Sequence, residues 1–151
     1  AQEIYKKGVR QGICKYYDST GAIQAIENIH EDLQEDSAWY FYSNGQIKRK
    51  GKYTAGSYNG KWLAYYTNGQ LQHEGVYFYG LPEGVWTFYT LKGNIEYSVT
   101  YAQGWKDGNY VLYHPVKKYV TCKGQYCQDK PCGTWTYFNK KGRIKNQMIY
   151  S

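Results

Sequence analysis

The sequence predicts an all-β protein, an elongated antiparallel sheet of stacked β-hairpins, on three observations. Columns of like residues recur every 24 positions: Tyr5, Ile29, Tyr53, Tyr77 and Tyr101; Gly12, Asp36, Gly60, Gly84 and Gly108; and Gly21, Gly45, Gly69 and Gly93. Between these columns run short alternating segments rich in Tyr, Trp, Ile and Val, the residues a pleated, half-buried surface favours. Five Trp, 20 Tyr and four Phe make 19% of the 151 residues, spread along the chain and accompanied by 17 Gly. With a mean hydropathy of -0.79, no stretch approaches the roughly 20 apolar residues of a membrane-crossing helix.

The elements follow in order from the repeat. Residues 1–151 read as one repeat domain of about six 24-residue copies, opening near 12, 36, 60, 84, 108 and 133. A one-residue insertion near Lys123-Gly124 moves the last copy along. In the third copy, Asn68-Gly69 separates two alternating runs, a hairpin signal because both residues tolerate the positive φ of a tight turn. Tyr77 to Gly84 then turns the chain into the next hairpin. The first strand of each copy carries Cys14, Trp39, Trp62, Trp86, Tyr110 or Trp135. Three residues on, Tyr17, Tyr42, Tyr65, Tyr89, Tyr113 and Phe138 point to the other face. Ile23, Ile47, Leu71, Ile95, Tyr119 and Ile144 open the second strand, and stacking puts like beside like, at roughly 0.2–1 kcal/mol per cross-strand pair.

The run Gly60-Lys-Trp-Leu-Ala-Tyr-Tyr-Thr-Asn-Gly-Gln-Leu71, followed by Gly-Val-Tyr77-Phe-Tyr-Gly80, resembles the MORN repeat, in the variant found in bacterial YwqK-like antitoxin proteins. The resemblance covers essentially the whole chain and is clearest from Gly60 to Gly108. Repeat five departs from it at His114-Pro115-Val116-Lys117, and repeat one carries Cys14 in place of Trp. The resemblance implies stacked hairpins that act in binding or scaffolding, with toxin neutralisation in some members.

Chemistry is sparse. His30, His73 and His114 lie in different repeats without ligands at metal spacing, so no metal site and no cofactor are expected. Glu31 to Asp36 lacks the oxygen pattern of a calcium loop and reads as a charged turn. No nucleophile elbow, phosphate loop or dinucleotide fingerprint is present, and the glycines are assigned to turns, so the chain is not expected to be an enzyme.

Subtracting the repeat leaves two candidate binding groups. Tyr58, Tyr79 and Trp105 are expected in inter-hairpin turns along one edge of the sheet, as interface anchors or as staples between turns. Lys117 and Lys118, with Lys140, Lys141 and Arg143, should cluster at the opposite edge, holding an anion or guarding against edge-to-edge aggregation. The formal charge of +7 is uneven: residues 1–36 hold four Lys/Arg against seven Asp/Glu, and residues 37–151 hold 15 against five. The leading expectation is a protein partner. The alternatives are a cell-envelope glycan, and nucleic acid or an anionic membrane surface bound through the basic C-terminal repeats.

Of four cysteines, Cys14 and Cys122 are four hairpins apart, roughly 38 Å at ordinary strand spacing, too far to bond. Cys127 and Cys132 flank a turn and are expected to form a disulfide, four reduced thiols in a cytoplasmic protein being the alternative. With a chain opening at Ala1-Gln-Glu, as after an Ala-x-Ala cleavage site or in a trimmed form, this favours a periplasmic or secreted setting.

Overall fold

In the computed structural model, which describes residues 1–151, the chain is all-β with no helix. A short hairpin, β1 (Tyr5–Lys6) and β2 (Val9–Arg10), precedes twelve longer strands. These are β3 (Gly12–Tyr17), β4 (Ile23–His30), β5 (Leu33–Phe41), β6 (Ile47–Thr54), β7 (Ser57–Tyr65), β8 (Leu71–Phe78), β9 (Leu81–Tyr89), β10 (Ile95–Ala102), β11 (Trp105–Tyr113), β12 (Val120–Cys127), β13 (Lys130–Phe138) and β14 (Ile144–Tyr150). They form one antiparallel sheet whose strand order is the chain order, as expected for stacked hairpins.

Two kinds of connection alternate, and they reverse the expected turn assignment. Within the twelve-stranded sheet the tight turns needing positive φ at both residues are Glu31-Asp32, Ala55-Gly56, Tyr79-Gly80, Gln103-Gly104 and Gln128-Asp129. Such two-residue turns match the right-handed twist of the flanking strands. The Asn-Gly segments instead form five-residue loops. In residues 66–70, Tyr66 N–H donates to Gln70 O (2.8 Å) and Gly69 N–H to Tyr66 O (3.0 Å). Only Gly69 is left-handed there (φ 86), while Asn68 Oδ1 accepts the Gln70 N–H at 3.0 Å. The extra residue of the last copies sits in the loop between β11 and β12, residues 114–119, rather than near Lys123-Gly124. Val120, not Tyr119, therefore opens β12.

The long strands carry a bulge at mid-length, and the aromatic face is built around it. Between β6 and β7, Lys50 pairs with Leu63 and Lys52 with Asn59, so three residues of β7 oppose one of β6. Trp62 closes that bulge. Its indole lies over Gly51, where a built Cβ would collide with the ring, and its Nε1 donates to Lys52 O at 2.9 Å. Trp86 repeats this over Gly75 with Val76 O (3.2 Å), and Trp135 over Gly124 with Gln125 O (3.1 Å). Gly51, Gly75 and Gly124 are thus strand glycines that make room for rings, not turn glycines. The Trp column itself needs correction in the second copy. Ala38, 1% exposed, occupies the buried slot, and Trp39 lies one residue on, across from Lys50. Likewise Phe41 ends β5, while Tyr42 belongs to the loop.

Two compact units divide the chain: Ala1–Leu71 with Tyr77–Leu81, and Gln72–Val76 with Pro82–Ser151. The core of the first is Ala38, Tyr53 and Trp62, packed by Tyr40, Tyr58 and Tyr77. In the second, Trp86, Val99, Cys122 and Trp135 are buried, and Tyr110, Tyr126 and Tyr150 surround the Trp135 ring.

Candidate binding surface

The tight turns are pinned to the hairpin before them. Gly56 N–H donates to Gln34 O (2.9 Å), Gly80 N–H to Tyr58 O (2.7 Å) and Gly104 N–H to Pro82 O (3.1 Å). The first turn residue is held by a side chain: Ala55 N–H by Glu35 (2.7 Å), Tyr79 N–H by Asn59 (3.3 Å) and Gln103 N–H by Glu83 (2.8 Å). The staple between turns is therefore polar, from a column of acceptors 20 residues upstream. Aromatic side chains are not needed for it.

The tips then serve as controls for one another. The turn Thr54-Ala55-Gly56-Ser57 makes the same backbone with small and polar residues. At Phe78-Tyr79-Gly80-Leu81 the side chains are large and exposed, Phe78 63%, Tyr79 60% and Leu81 50%. Phe78 and Tyr79 meet edge to face with ring centroids 4.9 Å apart. Tyr79 holds φ 44, a conformation costly for a side-chain-bearing residue. The result is an apolar anchor on a backbone already fixed by two hydrogen bonds.

The three aromatic candidates occupy different positions. Tyr79 is in a turn and Trp105, 53% exposed, opens β11. Tyr58 is not an edge residue. It lies within β7, stacked on Tyr53 and Tyr77 (5.0 Å each) and edge-on to Trp62 (4.7 Å). Its hydroxyl accepts Arg49 Nη1 at 3.1 Å. Alternation from the turn decides this, because the second residue of β7 faces the aromatic side. The repeat alone does not pick out Phe78 and Leu81; their signal in the sequence is the contrast with Thr54 and Ser57 at the same repeat positions.

On the aromatic face, Tyr40 donates to Glu27, which is buried, and shares a hydrogen bond of 2.8 Å with Tyr53. Burial, then the bonds to Glu27 and Tyr53, push the Tyr40 hydroxyl pKa far up. Burial raises Tyr53 to about 12. Burial between Trp86 and Phe88 lowers the pKa of His73. These shifts belong to rings packed against one another on the aromatic face.

The five cations lie in exposed loops. Lys117 and Lys118 are in residues 114–119, where His114 Nδ1 accepts the Val116 and Lys117 N–H groups (3.2 and 3.1 Å). Lys140, Lys141 and Arg143 are in residues 139–143, organised by Asn139 Oδ1 accepting from Lys141 (2.9 Å) and Arg143 (3.1 Å). Both loops lie at the same end of β11–β14. Cys127 and Cys132 are bonded, with Cα atoms 5.8 Å apart, and Cys14 and Cys122 are buried thiols. No group of three or more His, Cys, Asp or Glu is arranged so that it could hold a metal ion.

No curated protein matches the chain. Among solved structures, an S. aureus TarM mutant in complex with fondaparinux, α-GlcNAc-glycerol and UDP is 14% identical, with a TM-score of 0.41, over 65% of this chain and 19% of that one. The GtfA/B complex bound to UDP and GlcNAc is 13% identical, with a TM-score of 0.31, over 68% and 20%. The matched region is thus about a fifth of either structure's length. The family model for the MORN repeat variant matches residues 40–55, 58–78 and 82–103, the central hairpins from which the bulge, the indole-over-glycine contact and the pinned turn are read.

Proposed function

We propose that this chain is a non-enzymatic binding module whose partner is a protein, gripped by the hairpin tip Phe78-Tyr79-Gly80-Leu81. The repeat-variant match supports a binding or scaffolding role. The observation that carries the site is the exposure of three large side chains on a turn whose backbone is hydrogen-bonded to the preceding hairpin. Binding there orders little, so the apolar area of the tip goes into affinity rather than into fixing a loop. An antitoxin role is one form of this reading, with a toxin as the protein gripped. The Cys127–Cys132 bond supports an oxidising, extracytoplasmic setting.

The test gives this tip the residues of its neighbour. A Phe78→Thr, Tyr79→Ala, Leu81→Ser variant should keep its circular dichroism and melting behaviour and lose the protein captured by the parent chain from source-cell extract. Capture of the same protein by both would overturn the tip as the site.

A further inference from the structure

A second surface, independent of the tip, lies where β5, β6 and β7 run side by side. Register places Trp39 opposite Lys50 and Lys50 opposite Leu63, one row across three strands. Ser37 pairs with Lys52 in the next row. Together with Lys61 these residues line an open cleft of ≈ 290 Å³. Arg49, the residue before Lys50, points to the aromatic face, its guanidinium 4.3 Å from the Tyr40 ring, and Gly51, between Lys50 and Lys52, lies under the Trp62 ring on that same face. The lysines therefore take the opposite side of β6.

The repeat shows that none of this is needed to fold. At the position of Lys50 the other copies carry Ile26, Glu74, Ser98, Lys123 and Gln147, and at that of Lys52 they carry Asn28, Val76, Thr100, Gln125 and Ile149. Trp39 corresponds to Lys15, Leu63, Thr87, Val111 and Thr136. Only here do an indole, a leucine and three lysines come together.

We propose that this cleft binds an extended acidic peptide segment of a partner protein, its carboxylates at alternate residues over Lys50 and Lys52. Charge complementarity sets the sign. Asp36 already lies 3.6 Å from Lys52 Nζ, an exposed and exchangeable pair, so a carboxylate fits that cation. The step sets the class of ligand. Lys50 and Lys52 are two residues apart on a strand, about 7 Å, which is also the spacing of alternate side chains in an extended peptide. Trp39 and Leu63 flank Lys50 within its row and take the methylenes of a glutamate. A single-stranded nucleic acid would ask for a series of rings to stack successive bases, and the cleft has one.

The probe is a fluorescent heptapeptide, Gly-Glu-Thr-Glu-Thr-Glu-Gly, compared at low salt with its isomer carrying the three glutamates in a block and with tetrathymidylate. The alternating peptide should bind best. A Lys50→Ser, Lys52→Thr variant, using residues that β10 carries, should weaken it at least about tenfold, equivalent to about 1.4 kcal/mol, with an unchanged melt. The Phe78→Thr, Leu81→Ser variant should bind it as the parent does, which separates this cleft from the tip. Equal binding of the block isomer or the thymidylate, retention by the lysine variant, or no binding at about 1 mM peptide would each overturn the proposal.

Discussion

The buried ring and the missing Cβ at each bulge are a single device. Where the slot holds Trp62, Trp86 or Trp135, the residue 11 positions earlier is Gly51, Gly75 or Gly124. Where it holds Tyr110, that residue is Val99, and where it holds Ala38, it is Glu27. Room for the indole is therefore exchanged for side-chain volume as one quantity. Gly75→Val alone forces the Trp86 ring aside and should cost about 1–3 kcal/mol, as overpacking does. Adding Trp86→Tyr recreates the Val99–Tyr110 pair and should recover a large part of the loss. Urea melts of the two singles and the double measure the coupling, and additive losses would show the pairing to be incidental.

At the scale of the hairpin, four of the tight turns find two acceptors on the previous copy, a carbonyl and a side chain. The carbonyl comes with the backbone, but the side-chain acceptor is a choice made at Gln11, Glu35, Asn59 and Glu83. Glu83→Ala should leave the Gln103 amide without its acceptor and cost about 1 kcal/mol. Hydrogen exchange is the sharper reading: the Gln103 amide should lose protection while that of Val99, deep in β10, keeps it. The five loop cations follow a different logic. Lys117, Lys118, Lys140, Lys141 and Arg143 decorate loops organised by His114 and Asn139, and no part of the stacking depends on them.

Across the molecule, the packed tyrosines set an alkaline limit. Burial raises Tyr53, Tyr89 and Tyr110 to about 12 from an ordinary value of 10.0, with the Glu74 hydrogen bond adding to the rise at Tyr89. Above pH 10 the unfolded chain loses these protons first, so the folded state binds more protons and stability falls with rising pH. The contribution is complete below pH 10 and is lost as pH rises through about 12. Melting temperature should drop steeply over that window, together with the tyrosinate absorbance rise. A flat melting temperature up to pH 12 would contradict the burial of these hydroxyls.

The sequence by itself determined the class of fold, the period and the order of the strands, because a 24-residue recurrence of alternating aromatic runs can bury its faces only by stacking hairpins in chain order. It also determined that Cys127 and Cys132 flank a turn. Only the tertiary structure decided which turns are tight. Asn-Gly enters left-handed conformations more easily than Tyr-Gly does, yet Tyr79-Gly80 makes the tight turn, because the choice depends on twist and bulge in the paired strands. It alone decided that Tyr58 packs inward, since one residue of register moves a side chain to the other face. Ala38 displaced Trp39 from the buried slot for the same reason. The exposed tip and the lysine cleft were present in the letters as departures from the repeat. Their meaning waited on the register of β5, β6 and β7, which puts Trp39, Lys50 and Leu63 in one row although no local pattern in the chain joins them.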